Sequence, residues 1–416
     1  MSSSPSTDVL VVGGGPAGCS AAIRLANAGH EVTVLEGRSA SWLIPRGDLL
    51  VPAAVGELQS LGIDAASFAS HRILGTRMCH GTRAVAVPWP SSAPHTEPGV
   101  VAPRIELDAT LREHARSAGA TVHLGARATS PIVERGFVRG ASVDWADGST
   151  SDLSCRFLVV ADGANSRFGR GLGTNRDRRW PYAISASTYV ASERSSDQWI
   201  ETHLGPLDAS GHPVTGHGWV HPVGDGRLNV GVTVLSSYRD VLAVNIVKLL
   251  DAFAESVAPT WQFDPAKQLV APARWRTPVG GSVGPKMGPT FLVVGDAAGL
   301  ANPFTSHGVR AALATGRIAA DVLDEALRVG NSTTLQRYPA RLDEAMGQYH
   351  KVGRLTARFL GRPWLLRQAL RSGVRSEAAM GAALRIATNE LRDGESGGAE
   401  RAYRLASIVA RFAPSW

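Results

Sequence analysis

The sequence predicts an α/β protein with a nucleotide-binding domain, a mostly antiparallel β-sheet domain and a helical C-terminal region. Three observations support this prediction. An apolar strand, a glycine-rich turn and a helix open the chain, strand-like segments fill residues 182–275, and helical segments follow Gly308. The chain has 416 residues, of which 44% are hydrophobic and 19% charged, so it can bury the core of a large globular protein.

The opening stretch has the order strand, turn, helix, strand. Val9–Val12 predict a buried parallel strand, the pattern Gly-x-Gly-x-x-Gly follows at residues 13–18, and a helix is predicted over 20–29. A second strand, 31–35, leads to Glu36. Glycines in this pattern let the backbone approach a pyrophosphate at the helix N-terminus, and an acid about 20 residues later accepts a ribose hydroxyl. The complete context therefore predicts a dinucleotide site.

Two later strands end in a similar way. The apolar strand 157–160 is followed by Asp162-Gly163, and the strand 291–294 is followed by Gly295-Asp296. Open α/β sheets bind their ligands at the carboxyl ends of the parallel strands. The three places where a predicted strand passes into a glycine-containing loop together predict one parallel sheet, with a ligand along the carboxyl edge of its strands.

The remaining segments divide the chain by their patterns. Short β-rich runs separated by Gly, Pro and Asp predict an antiparallel sheet that covers the nucleotide-binding domain. The pattern from Gly308 onward is helical. The predicted limits are 1–180 for the first part of the nucleotide-binding domain with an inserted small sheet, 181–275 for the substrate domain, 276–330 for the last part of the nucleotide-binding domain, and 331–416 for the helical region.

The net charge of +7 is concentrated at the C-terminal end. Residues 351–416 contain twelve Lys and Arg against five Asp and Glu, an excess equal to that of the whole chain. Aromatic residues do not alternate with these basic ones, so nucleic-acid binding is not expected, whereas a weak contact of the basic helices with a membrane surface stays open. No apolar run is long enough to span a membrane, and residues 1–7 lack a signal-peptide pattern, which predicts a cytoplasmic protein.

The three motifs, in this order, resemble those of the FAD-dependent oxidoreductases with the p-hydroxybenzoate hydroxylase fold. The resemblance implies an α/β fold in which a Rossmann-like FAD-binding domain carries a mostly antiparallel β-sheet substrate domain and, here, a helical C-terminal region. It also implies FAD as the resident cofactor. Arg104, in an Arg-x-x-Leu-Asp pattern, resembles the family arginine that contacts FAD. The implied FAD-binding residues are Gly13, Gly15, Pro16, Ala17, Gly18, Glu36, Gly37, Arg38, Arg46, Arg104, Ala128, Asp162, Gly163, Gly295, Asp296, Pro303, Ser306, His307, Gly308 and Val309.

Within this fold the chain resembles the geranylgeranyl reductase branch. The similarity lies in the segments 45–55, 217–222, 229–232 and 295–304. Three positions depart from the branch. The loop before Gly47 has no cysteine, the Tyr-x-Trp-x-Phe-Pro pattern appears as His217-x-Trp219-x-His221-Pro222, and the usual Gly-Glu-Gly is Ser306-His307-Gly308. These departures favour a reaction that differs from prenyl reduction.

Four side chains are the candidate catalytic residues: Arg46, His217, His221 and His307. Imidazole titrates near neutral pH and can exchange protons or hydrogen bonds with a substrate hydroxyl. Residues four apart on a strand share one face, so His217 and His221 point the same way. The predicted substrate-binding residues are His217, Trp219, His221 and Phe304. No metal is predicted, because nearby Cys, Asp and Glu do not complete a ligand set and the three cysteines of the chain lie far apart.

Two reactions of an apolar small molecule, of natural-product or isoprenoid type, fit these residues. The favoured one is an NAD(P)H-dependent monooxygenase, in which reduced FAD and oxygen hydroxylate or epoxidise the substrate. The alternative is a reductase that transfers hydride from reduced FAD to a C=C bond, as the branch resemblance implies. A third hypothesis, of another class, is a flavin-holding protein that acts at a membrane surface or as an interaction partner through its basic C-terminal helices.

Overall fold

The computed structural model describes residues 6–39, 44–68, 70–90, 98–208, 211–373, 376–391 and 397–412. The expectation about the N-terminal segment therefore falls mostly on residues outside the described part. The strands are β1 Ser6–Val12, β2 Val32–Glu36, β3 Leu49–Leu50, β4 His71–Ile73, β5 Gly75–His80, β6 Arg83–Pro88, β7 Gly99–Val101, β8 Thr121–Leu124, β9 Arg127–Glu134, β10 Phe137–Asp144, β11 Thr150–Val160, β12 Asn175–Arg176, β13 Tyr182–Ala191, β14 Trp199–Leu204, β15 Gly216–Pro222, β16 Arg227–Leu235, β17 Ala273–Pro278, β18 Val283–Gly284, β19 Met287–Gly288 and β20 Phe291–Val293.

The α-helices are α1 Pro16–Asn27, α2 Pro52–Gln59, α3 Arg104–Ser117, α4 Arg167–Gly171, α5 Ile246–Trp261, α6 Val309–Val329, α7 Tyr338–Leu342, α8 Gln348–Leu360, α9 Pro363–Gly373, α10 Glu377–Thr388 and α11 Gly398–Phe412. Helix α1 begins at Pro16, four residues before the predicted start at residue 20. Proline is well suited to the first turn of a helix, because the backbone N–H that it lacks would have no acceptor within the helix at that position. None of the described helices has the length and apolarity that a bilayer crossing requires.

The first sheet is the predicted parallel sheet. Its main path runs β19-β20-β11-β1-β2-β8, and the five strands from β20 to β8 are parallel. The predicted inserted sheet is not separate: β9 and β10 form a hairpin that pairs with the N-terminal half of β11. Residues Val9–Val12 are at most 4% exposed, because β1 lies between β11 and β2 in the sheet and packs into one core with the buried residues of α1.

Helices α1 and α6 pack closely over this sheet. The Ser20 hydroxyl donates to the carbonyl of Leu313 at 2.8 Å. A Cβ at Gly316 would collide with the backbone carbonyl of Ala17. This close approach holds the N-terminus of α6 at the same edge of the sheet as the N-terminus of α1.

The second sheet has the order β17-β13-β16-β15-β14-β5-β6 and is antiparallel except for the parallel pair β14–β5. Two of its strands, β5 and β6, come from residues 75–88, within the predicted limits of the first part of the nucleotide-binding domain; β5 pairs with β14, and β6 pairs with β5. The domain limits themselves stay a prediction. Helix α5 lies within residues 182–275, which the sequence analysis expected to be dominated by strands, and the sequence analysis did not predict it.

The second sheet has a core of its own. Phe253, Leu250 and Trp261 of α5 pack on the strand residues Val232 and Val234, and all of them are buried. The opposite face of the second sheet turns toward the first sheet and carries His217 and Trp219 on β15. The C-terminal helices reach this sheet at its other end, where Leu366, Met380 and Leu384 pack with Met78 and Val87.

Candidate active site

The glycine-rich turn joins the end of β1 to the N-terminus of α1. Gly13 has φ of 113°, a conformation that side chains strongly disfavour. A Cβ at Gly18 would collide with the carbonyl oxygen of Gly13, whereas a Cβ at Gly15 would meet no atom within 4 Å. Gly18 therefore allows the helix to pack on the turn, and Gly15 leaves open space in front of the helix N-terminus. That space is where an anionic group fits.

Glu36 ends β2 beside this turn. One carboxylate oxygen accepts the backbone N–H of Gly14 at 3.0 Å, and the other accepts the backbone N–H of Arg38 at 3.0 Å. The side chain is thus fixed by two backbone donors at the edge of the cavity. This is the position from which a carboxylate holds the ribose of a dinucleotide.

The two other joints each present a buried aspartate. Asp162 accepts the backbone N–H of Phe168 at 3.0 Å through one oxygen, and its second oxygen has no partner among the described residues. Asp296 likewise has a buried oxygen without a partner in the described part of the chain. Burial raises the pKa of both carboxyl groups. The buried oxygens without a partner, one on each aspartate, fit the hydroxyl groups of an extended dinucleotide, because buried acceptors need donors.

Two arginines face the same part of the cavity. Arg104, at the start of α3, donates to both oxygens of Asp108 at 2.8 and 3.1 Å. Arg46 lies on the segment before β3, where burial and the neighbouring Arg104 and Arg38 lower its pKa to about 10. Both guanidinium groups stay charged near neutral pH. Their positive charge lowers the pKa of Asp296 and so counteracts part of the increase that burial causes.

Strand β15 supplies the wall opposite the nucleotide cradle. His217 and Trp219 line the cavity, and the Trp219 ring lies between His217, at a centroid distance of 6.1 Å, and His221, at 6.0 Å. His307 faces them from the loop before α6. Burial lowers the pKa of His217 to about 3 and that of His307 to about 4. All three imidazoles are therefore neutral at physiological pH and can act as hydrogen-bonding groups but not as fixed cations.

One cavity of about 1720 Å³ joins the nucleotide cradle to this wall. Among the predicted residues, it is lined by Gly13, Gly15, Pro16, Ala17, Glu36, Gly37, Arg38, Arg46, Arg104, Ala128, Asp162, Gly163, His217, Trp219, Asp296, Ser306, His307, Gly308 and Val309. Its volume, the Glu36 carboxylate, the aspartate oxygens without a partner and the open helix N-termini fit FAD.

Five predicted residues do not line this cavity. Gly18 packs under the turn, Gly295 donates its N–H to the Thr315 hydroxyl at 3.0 Å, and Pro303 packs against Gly353. His221 is only 2% exposed and stacks behind Trp219. Phe304 packs against Tyr349 at a ring distance of 5.3 Å. The structure does not bring these five residues to the cavity surface, so a direct contact of any of them with a ligand stays a prediction.

The sequence analysis did not select three buried residues beside the site. Asp48 lies in the segment before β3, Tyr189 in β13 and Asn229 in β16. The three side chains meet under Arg46 and Trp219. Asp48 was visible as a polar residue in a glycine-containing loop. Asn229 lies in the segment 229–232 that resembles the branch, but its contacts and those of Tyr189 could not be predicted, because only strand register brings both residues to the loop.

One group in the described part of the chain has metal-ligating side chains close together: Cys79, Glu201 and His203. These residues lie on β5 and β14, outside the cavity lining. The Glu201 carboxylate already pairs with His203 at 2.8 Å and accepts the indole N–H of Trp261 at 2.8 Å. The group is therefore satisfied without an ion.

Comparisons with known proteins agree with this geometry. Residues 6–207 match the FAD binding domain family. The chain is 34% identical to a menaquinone reductase of Mycobacterium tuberculosis over 99% of its own length and 98% of that protein. It is 31% identical to digeranylgeranylglycerophospholipid reductase 1 of Methanopyrus kandleri, over 85% of the chain and 90% of that protein.

Solved structures share the same architecture. The crystal structure of a geranylgeranyl bacteriochlorophyll reductase-like protein from Thermoplasma acidophilum superposes with a TM-score of 0.77 at 25% identity, over 93% of this chain and 97% of that one. The expected α/β fold with FAD as cofactor is thereby confirmed. The chain is an FAD-dependent oxidoreductase and belongs to the geranylgeranyl reductase-like branch of the p-hydroxybenzoate hydroxylase fold family.

Proposed function

We propose that this enzyme reduces a carbon–carbon double bond in the polyisoprenoid chain of an apolar lipid, with menaquinone as the substrate class. The observation that carries the proposal is the similarity of nearly the whole chain to a menaquinone reductase. Menaquinone and digeranylgeranylglycerophospholipid, the compounds named for its relatives, both contain polyisoprenoid chains. The cavity geometry supports the same substrate class, because it extends past the cofactor cradle to an aromatic wall at Trp219.

The residues of the chain bind and orient the substrate and the cofactor and exclude water from the site, while the cofactor supplies the redox chemistry. When bound, FAD would supply the two-electron chemistry of the reduction, with NAD(P)H as the electron donor that we assign and with a proton from solvent completing the addition of two hydrogen atoms. Gly308 and Val309 place the N-terminus of α6 at the cavity, where its N–H groups favour negative charge. The neutral His217 and His307 can accept or donate hydrogen bonds without a competing charge in an apolar site.

The reaction is tested by supplying the purified enzyme with NAD(P)H and menaquinone in detergent. Reduction of a side-chain double bond adds two hydrogen atoms to the product, consumes no oxygen and leaves the quinone spectrum unchanged, and the gain in mass persists in air. Reduction of the ring alone gives a quinol that air reverses to the starting mass. Failure to change the mass of menaquinone, with FAD bound and reducible, would contradict the proposed substrate class.

Monooxygenation, the reaction favoured by the sequence analysis, has no specific support from the relatives. Its motivation is the replacement of branch residues at His217, His221 and His307. The same experiment distinguishes it, because hydroxylation or epoxidation adds one oxygen atom and consumes molecular oxygen.

We also propose that this enzyme is cytoplasmic and that it reaches its lipid substrate through a weak contact of its C-terminal helices with a membrane surface. Leu405, Ile408 and Val409 of α11 are each more than half exposed and lie on one side of the helix. The exposed Arg401 lies beside them. An apolar stripe flanked by basic residues is the pattern of a helix that lies in an anionic lipid interface.

A further inference from the structure

The buried residues under the cavity form one connected hydrogen-bond network. The carboxamide of Asn229 donates to the backbone carbonyl of Arg46 at 2.6 Å and to the Asp48 carboxylate at 2.6 Å, and its oxygen accepts the indole N–H of Trp219 at 2.9 Å. Tyr189 donates its hydroxyl to the same Asp48 oxygen at 2.5 Å. Asp48 and Asn229 are both 0% exposed.

The partners of this amide come from two different walls of the cavity. Arg46 belongs to the segment beside the cofactor cradle, and Trp219 belongs to the substrate wall on β15. Each polar atom of the Asn229 side chain is used, so its orientation is determined by donors on one side and acceptors on the other. A carboxylate or an apolar side chain at this position could not make both sets of bonds.

Neighbouring residues support the network on the sheet side and on the loop side, although the second oxygen of Asp48 has no partner among the described residues. Asn229 lies directly across from Tyr189 in the β13–β16 register. A Cβ at Gly231 would collide with the Trp219 indole, so this glycine provides the space in which the ring reaches Asn229. On the loop side, the carbonyl of Asp48 accepts the N–H of Ala102 at 2.9 Å, which attaches the loop to β7.

We propose that Asn229, supported by Asp48 and Tyr189, is a positioning residue that fixes the Arg46 segment against Trp219 and thereby sets where the substrate chain lies relative to the cofactor. The network itself does not line the cavity, so it acts through Arg46 and Trp219. The effect on the substrate rests on the proposed function. The effect on the loop does not.

The first test is amide hydrogen exchange of the FAD-loaded enzyme without substrate. In Asn229→Leu, exchange of the peptide that covers residues 44–50 is expected to rise by about tenfold or more, because a buried bond to its backbone is lost. Thr188→Val is the matched control. It removes a buried hydrogen bond, 2.7 Å long, from the Thr188 hydroxyl to the carbonyl of Val270, beside Tyr189 but on the other face of β13. This control is expected to leave exchange of residues 44–50 unchanged.

The second test follows turnover of menaquinone with a short isoprenoid chain. Asn229→Leu is expected to lower kcat/KM by about tenfold to a hundredfold with FAD content intact, since a small misplacement near the reacting atoms is costly. Asp48→Asn keeps the shape and the acceptor oxygen, so it is expected to retain more of the activity than Asn229→Leu. If wild-type enzyme does not turn over menaquinone, the proposed function fails while the exchange result still decides the positioning role. Equal exchange of residues 44–50 in wild type and Asn229→Leu would overturn the inference, as would a uniform rise throughout the chain.

Discussion

Two glycines of the nucleotide turn serve different purposes. Gly18 has no room for a side chain against the carbonyl of Gly13, whereas Gly15 faces open space. We expect Gly18→Ala to destabilise the FAD-free protein by about 1–3 kcal/mol through overpacking. Gly15→Ala is expected to leave FAD-free unfolding unchanged and to weaken FAD binding, because its methyl group occupies the cofactor's space. Thermal unfolding of the FAD-free variants and flavin fluorescence titration measure the two effects; the same response from both variants would contradict the distinction.

His307 and His221 differ in their access to the cavity. His307 lines it, whereas His221 stacks on Trp219 with an interplanar angle of 28° and stays behind it. His307→Ala is expected to slow turnover by about a hundredfold if the imidazole exchanges a proton with the substrate. His221→Phe keeps an aromatic ring behind Trp219 and is expected to lose far less. Steady-state rates at matched FAD content provide the comparison, and unchanged rates in both variants would assign the two histidines to packing.

Individual residues could be predicted where a local pattern names them. Glu36 ends a strand, and Gly13, Asp162 and Asp296 follow strands by one to three residues at the same sheet edge, so a motif search finds them. Asn229 was different: its partners Arg46 and Asp48 lie more than 180 residues away in sequence. Only the folded register of two sheets and a loop defines that contact, and no spacing rule contains it.

Among the elements, α5 was the one helix of the substrate sheet that the sequence analysis overlooked. Its buried residues Ile246, Leu249, Leu250 and Phe253 recur at helical spacing, and Asn245 caps its N-terminus by accepting N–H bonds from Val247 and Lys248. The signal was present but was surrounded by strands. The pairing of β5 with β14 had no local signal, because it joins segments more than 100 residues apart in sequence.

Helix α8 carries a histidine whose protonation opposes folding. His350 is 5% exposed, and burial lowers its pKa from 6.5 to about 3. As the pH falls below 6.5 the unfolded chain binds the proton first, so the stabilising contribution is complete above 6.5 and is lost progressively toward pH 3. Relative to His350→Gln, the wild type is expected to lose up to about 1.4 kcal/mol of unfolding free energy per pH unit in this window.

Urea unfolding between pH 7 and pH 4.5 measures that difference in slope. His212→Gln is the matched control, because the His212 side chain is 77% exposed and its replacement removes no buried imidazole. Parallel pH profiles for wild type and His350→Gln would show that His350 is not buried in the neutral form.

At the scale of the whole molecule, the C-terminal stripe predicts binding to anionic vesicles. Replacing Leu405, Ile408 and Val409 by serine is expected to reduce co-sedimentation with anionic vesicles by at least about tenfold, because buried apolar area and basic charge together supply interfacial affinity. Val329→Ser on α6 is the control, since Val329 is 66% exposed but lies outside the stripe. The FAD content of all variants should stay equal. Equal sedimentation of the triple variant and the control would contradict the membrane contact.

The arrangement of the two sheets was predicted in outline. Three strand ends with Gly or Asp predicted the carboxyl edge at which the cavity opens. The turn-separated segments predicted a second sheet as its cover. What could not be predicted was that the cavity wall depends on side chains from both sheets at once, because the amphipathic pattern of one strand does not specify which surface it faces.

The second sheet takes its strands from two separate stretches of the chain, β5–β6 and β13–β17. This interleaving limits how substrate preference can be exchanged between relatives. A chimera that receives only residues 181–275 would combine a foreign β14 with the host's β5, and any mismatch at that parallel seam would leave backbone donors and acceptors unpaired. A chimera that also receives residues 75–88 keeps the natural pairing of β5 with β14, so the two stretches have to be exchanged together.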